Sequence, residues 1–142
     1  MADTLSALAQ RLQKKNLEIY EKSEEKLVFG KDECRGEILY FYNVVSCILA
    51  KPINKPPKEE DYRKINDLIN ETTFGKHSIK YNEDTKKYDY LFHLEFNTQN
   101  VPLIQTIRYA FKAFSLAYDI ITCPDMPTAY RLISQYEGSL AQ

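Results

Sequence analysis

Residues 88–96 read Tyr-Asp-Tyr-Leu-Phe-His-Leu-Glu-Phe. Tyr88, Tyr90, Phe92, Leu94 and Phe96 alternate with Asp89, Leu91, His93 and Glu95. Side chains of a strand point to opposite faces in turn, so this period of two predicts a strand with one aromatic face and one mixed face. Lys76–Tyr81, with Ile79 and Tyr81 alternating, predicts the preceding strand. The hydrophilic Asn82–Lys86 closes the two into a hairpin. An aromatic sheet face needs a cover. Downstream, Ile104, Ile107, Phe111, Phe114, Tyr118 and Ile121 trace the apolar side of a helix of about 20 residues. Asn97 or Asn100 is its expected cap, with Pro102 in its first turn.

Working outward, Leu5, Leu8 and Leu12 predict an amphipathic helix over about 4–15, capped by Asp3 or Thr4. Asn16–Tyr20 reads as strand or loop, and Leu27–Phe29 as a short strand before the turn Gly30-Lys31-Asp32. Glu37–Ala50 (EILYFYNVVSCILA) is rich in β-branched and aromatic residues and shows little alternation, which predicts one central strand bent near Asn43. Lys51–Lys58 is proline-rich and reads as a connection. A helix over about 58–71 follows, with Glu59, Glu60 and Asp61 in its first turn. Cys123-Pro124 stops the long helix, and a last one over about 127–137 is expected to end at Gly138. The predicted fold class is α+β, an antiparallel sheet of about five strands packed against helices, in the order α-β-β-β-α-β-β-α-α. A single domain over 1–142 is expected, with a core over 1–122 and a helical extension over 123–142.

The 142 residues include 19 Lys and Arg against 20 Asp and Glu. A net charge of −1 speaks against a dedicated nucleic-acid binder, which normally carries a basic excess. The first residues lack the pattern of a secretory signal, and the longest strongly apolar run, Val44–Ala50, is far short of a membrane span. The expected location is cytoplasmic, with no membrane insertion.

Chemistry-bearing patterns are sparse. The glycines are scattered, so no phosphate cradle can be drawn, and GxGxxG, GxxxxGK[ST], HExxH and GxSxG are all missing. The cysteines (Cys34, Cys47, Cys123) form no CxxC, and no metal or cofactor is expected. Cys47, in an apolar run, reads as a buried small hydrophobe. Asp32 and Glu33 beside Cys34 disfavour its thiolate. Asp89, His93 and Glu95 share the mixed face of their strand and are the one conceivable catalytic or metal cluster. Their spacing is too open for tight coordination, and a solvated sheet face is the plainer account. His77 reads as a surface residue.

The order of elements, carried by Ile65-Asn66-Asp67-Leu68-Ile69-Asn70, Phe74-Gly75-Lys76, the acidic turn Asn82-Glu83-Asp84, the strand Tyr88–Phe96 and the helix Leu103–Tyr118, resembles two related groups. These are the class I chaperones of type III secretion and the YbjN-like proteins. The resemblance covers roughly residues 3–122 and implies proteins that act by binding other proteins, often as homodimers, without a catalytic centre. Secretion chaperones are usually acidic, and this chain is almost neutral. Tyrosine is the one compositional excess, and it is enriched at protein interfaces. Tyr40, Tyr42, Tyr81, Tyr88 and Tyr90 are therefore the candidate partner-binding residues. The expected function is a non-catalytic, chaperone-like or adaptor module for a partner polypeptide. The alternative is an immunity or inhibitor protein that blocks one folded partner such as a toxin. A small enzyme using Asp89, His93 and Glu95 stands third.

Overall fold

The computed structural model describes residues 4–140. Its sheet is centred on two long strands, β4 (Val44–Ile53) and β6 (Lys87–Asn97), paired antiparallel from Val44↔Asn97 to Ile53↔Tyr88. Beside β4 lie β3 (Cys34–Phe41), β2 (Lys26–Lys31) and β1 (Glu18–Lys22), and beside β6 lies β5 (Lys76–Asn82). The order is β1-β2-β3-β4-β6-β5, antiparallel throughout. Register carries the alternation of β6 across the sheet. Phe92 lies opposite Leu49 and Leu94 opposite Cys47, which in turn faces Ile38 and, beyond it, Leu27. All of these are buried on one face.

The helices pack on that face. α1 (Leu5–Lys14) buries Leu5, Leu8, Ala9 and Leu12, and its Thr4 cap accepts the Ala7 N–H at 3.1 Å. α4 (Leu103–Thr122) buries Ala110, Ala113 and Ala117, whose small side chains let the helix approach the sheet closely, and it stacks Phe114 on Tyr90 at 5.1 Å. α5 (Met126–Leu140) adds the buried Ala129 and Ile133. Gly36 makes room for the core ring of Phe29: a Cβ there would lie 2.3 Å from it.

The α+β class and the long helix follow the sequence expectation, and several details do not. Glu37–Ala50 is not one bent strand. It folds back at Tyr42-Asn43, both left-handed (φ 50° and 67°), as in a two-residue hairpin, so the sheet has six strands. β4 also runs on through Lys51 and Pro52, where a connection was expected. The β3 pairing ends at Ala50, so on that side the proline nitrogen interrupts no ladder; Pro52 stays opposite Asp89 of β6, and its carbonyl accepts the Tyr118 hydroxyl at 3.0 Å. Pro102, not Asn97 or Asn100, occupies the cap position of α4. Gly138 does not end the last helix, which continues to Leu140.

The helix expected over 58–71 begins as α2 (Glu59–Arg63), widens into a π-helical stretch (Lys64–Ile69) and closes with α3 (Asn70–Thr72). Its first N–H, at Lys58, is capped by Asp61 at 2.9 Å, and the Asn70 N–H reaches back five residues to Ile65 O. The widened stretch buries Ile65, Leu68 and Ile69, and with them Lys64, which is 2% exposed. Lys64 Nζ donates to Cys123 O at 2.9 Å and to Ile121 O at 3.5 Å, and pairs with Asp61 at 3.5 Å. It thus supplies a cation and hydrogen bonds to carbonyls that the end of α4 leaves without helical partners.

His77 is not a surface residue: it is buried under the π-helical stretch. The Thr73 hydroxyl donates to Ile69 O at 3.1 Å, so its oxygen accepts from His77 Nε2 at 2.6 Å. Nδ1 is then the acceptor for the Tyr90 hydroxyl, also at 2.6 Å. The chain Tyr90→His77→Thr73→Ile69 satisfies every polar atom with a neutral imidazole, and burial lowers the His77 pKa to about 4.

Two outcomes are expected. Lys64→Met leaves two carbonyls without their donor and Asp61 without its cation, although Asp61 keeps the Lys58 N–H, and should lose about 2–3 kcal/mol of unfolding free energy in urea titrations at neutral pH. A loss under about 0.5 kcal/mol would remove Lys64 from this role. For His77, the unfolded imidazole binds its proton near pH 6.5 and the folded one only near pH 4. The unfolded chain therefore protonates first. The contribution is full above pH 6.5, declines below it and levels off below about 4, for a total of about 3 kcal/mol. The stability difference between wild type and His77→Gln should shrink over that window, and a constant difference would contradict the assignment.

Candidate functional site

Among the described residues every helix packs on one face, and the other face of the sheet has no helical cover. Arg35, Glu37, Leu39 and Phe41 of β3 point to it, opposite Ala50, Ile48, Ser46 and Val44 of β4. Asp89, Leu91, His93 and Glu95 of β6 continue it toward Lys76, Ser78 and Lys80 of β5. Its character changes along its length. Near β1 and β2 it is charged: Lys26 bridges Glu21 at 3.4 Å and Glu37 at 3.7 Å. These exposed pairs contribute little stability. A shallow hollow of about 330 Å³ among Val28, Arg35, Ile48, Lys87 and Asp89 lies beside them.

Toward the β3–β4 turn the face becomes apolar. Leu39, Phe41, Val44 and Ile48 are exposed there, and Tyr42 at the turn is 84% exposed. The rings of Phe41 and Tyr42 meet edge to face at 4.3 Å. Exposed apolar residues grouped in this way mark interaction surfaces more often than scattered ones do. The Tyr42 backbone sharpens the point. A left-handed conformation disfavours a bulky side chain by about 1 kcal/mol, and Asn or Gly would hold the same turn more easily. Strained backbone of this kind clusters at functional sites. The tip is otherwise firmly held: the Thr98 N–H donates to Asn43 O at 2.8 Å and the Tyr40 hydroxyl to Thr98 Oγ1 at 3.1 Å.

The five candidate tyrosines do not form one surface. Tyr42 projects from the tip, and Tyr40 is half-buried beside it. Tyr81 and Tyr88 face each other across β5 and β6, rings 5.1 Å apart, with Tyr81 52% exposed. That pair sits nine positions along β6 from the tip, about 30 Å away at the strand rise, and on the opposite face. Tyr90 is fully buried in the His77 network and offers no surface to a partner. Leu39, Phe41, Val44 and Ile48 escaped the sequence reading because a single central strand is covered on both faces. Folding the stretch at Asn43 puts its apolar residues alternately in the core and on the uncovered face.

The Asp89, His93 and Glu95 side chains belong to this face, and His93 and Asp89 each bond to a residue of a neighbouring strand rather than to one another. His93 Nε2 bonds Ser46 Oγ at 3.0 Å, and Asp89 accepts from Asn82 Nδ2 at 3.1 Å. Among the described residues no group of three or more His, Cys, Asp or Glu could hold a metal ion. Burial raises the Cys34 thiol pKa, so the direction expected from sequence holds but the cause is desolvation. Cys47 is fully buried, its thiol pushed up to about 12. No helix among the described residues is long and apolar enough to cross a membrane.

No protein-family model matches the chain, and no curated protein matches its sequence. Among solved structures it is similar to YbjN from E. coli, described as a candidate transcription regulator, with a TM-score of 0.50 and 14% identity over 85% of this chain and 90% of that one. At that identity the likeness is one of fold: the chain has a YbjN-like α+β fold.

Proposed function

We propose that the protein is a non-catalytic binding module of the chaperone or adaptor kind, which holds a partner polypeptide on the uncovered face of its sheet. One observation carries the reading: the exposed apolar group Leu39, Phe41, Val44 and Ile48 runs up to Tyr42, an exposed aromatic held in a backbone conformation that disfavours it. Aromatic residues with few rotatable bonds are efficient anchors, since little conformational freedom is lost when they are covered. The face offers a partner an apolar centre at the tip and a charged rim at β1–β3, which is the anatomy of a protein interface. Binding of this kind involves no reaction. Asp89, His93 and Glu95 serve as polar surface beside the apolar group.

The test separates binding from folding. Tyr42→Asn should leave stability unchanged or raise it by up to about 1 kcal/mol, because Asn accepts positive φ more readily. The same change, combined with Phe41→Lys, should abolish capture of the partner in affinity purification followed by mass spectrometry. Capture of the same partner by wild type and variant alike would sink the reading. A captured protein with an extended segment fits a chaperone, and a folded toxin fits the inhibitor reading. Light scattering across a concentration series tells both from a second copy of this chain.

A further inference from the structure

A second surface lies on the helical side, away from the uncovered face. Between α1 and α4 runs a groove of about 850 Å³. Its floor is apolar: Leu17, Ile104 and Phe111 are partly buried there against the core. Its rim is basic. Arg11, Lys14 and Lys15 come from the α1 side, and Arg108 and Lys112 from α4. No acidic residue lines it among the described residues, in a chain where acids outnumber bases 20 to 19. The five cations are exposed, and none forms an ion pair with a described carboxylate.

From this arrangement we infer that the α1–α4 groove receives an acidic amphipathic helix of a partner protein. The chemistry of the occupant follows from the two walls. Arg108 and Lys112 are four residues apart on one helix, and Arg11 stands three and four residues from Lys14 and Lys15. Each wall thus repeats its charge after one helical turn, about 5–6 Å along the axis. A ligand with a single anionic head would neutralise one end of one wall. A helix with acids on both flanks and a Leu or Ile stripe between them meets both walls and the apolar floor together. A groove between two helices is also the usual shape for such a guest. The inference goes beyond the proposal for the sheet face and uses none of its residues.

The probe is a fluorescein-labelled 18-residue peptide with leucines at i, i+3, i+4 and i+7 spacing and glutamates on both flanks, followed by anisotropy at low salt. Saturable binding is expected, weakening as salt rises. Arg108→Glu with Lys112→Glu should weaken it by about tenfold or more, and Arg108→Gln with Lys112→Gln less steeply in the same direction. Tyr42→Asn should bind like wild type, so that a defect at the sheet face cannot mimic a defect here. A peptide with lysines in place of the glutamates should not bind. Equal affinity of wild type and both paired variants would overturn the inference. So would tighter, Arg108- and Lys112-dependent binding of an 18-base-pair DNA duplex, or full displacement of the peptide by dodecanoate, which carries one anionic head.

Discussion

The pairing of β4 with β6 determines the rest of the molecule. These two strands share the longest ladder, and their register places Cys47, Leu49, Phe92 and Leu94 on one side. A strand turns its side chains to the two faces in strict alternation, so that choice also decides what lies on the other side. Ser46, Ile48, His93 and Glu95 are consequences of the same register. With all the described helices on the first face, the second is left without helical cover among the described residues. A slip of one residue would exchange the two faces, placing Glu95 and His93 in the core, where their burial would be prohibitive.

Polar ties secure the covered side where apolar packing alone would leave backbone groups unsatisfied. Lys64 reaches the carbonyls at the end of α4, and the His77 chain links β5 and β6 to the last turn before them. Both depend on the π-helical stretch, whose wider turn directs Lys64 as well as Ile65, Leu68 and Ile69 inward. Gly75 adds a further constraint: it sits at φ 95°, and a Cβ there would lie 2.7 Å from Phe92 and 2.9 Å from His93 O. The segment 64–77 is therefore built as one unit joining the long helix to the sheet.

Much of this is legible in the sequence, and the rest fails for identifiable reasons. Alternation in Tyr88–Phe96 and the helical stripe from Ile104 to Ile121 are repeated signals, and both elements stand where they point. The Tyr42-Asn43 turn lacks the Asn-Gly or Asp-Gly signature, so two apolar strands read as one. Lys64 and His77 look like surface residues because their partners, the end of α4 and Tyr90, are distant in sequence. The same limit affected the tyrosines. Composition counts Tyr90 with Tyr42, but one is sealed in the core and the other is the most exposed large hydrophobic residue of the tip. The apolar residues beside Tyr42 became visible only once the hairpin separated their two faces.

An uncovered sheet face with an apolar end is the physical basis for reading the protein as a binder. Such a face is tolerated in a free chain when it is modest in size and interrupted by charge, as this one is by Lys26, Glu37 and Lys76. The most direct measurement is methyl NMR of the free protein with a soluble paramagnetic agent. Strong relaxation of the Leu39, Val44 and Ile48 methyls is expected, with protection of Ile38, Val45 and Leu49 on the same strands. Equal protection of both sets at every protein concentration would contradict it, since the face would then be covered by the chain itself.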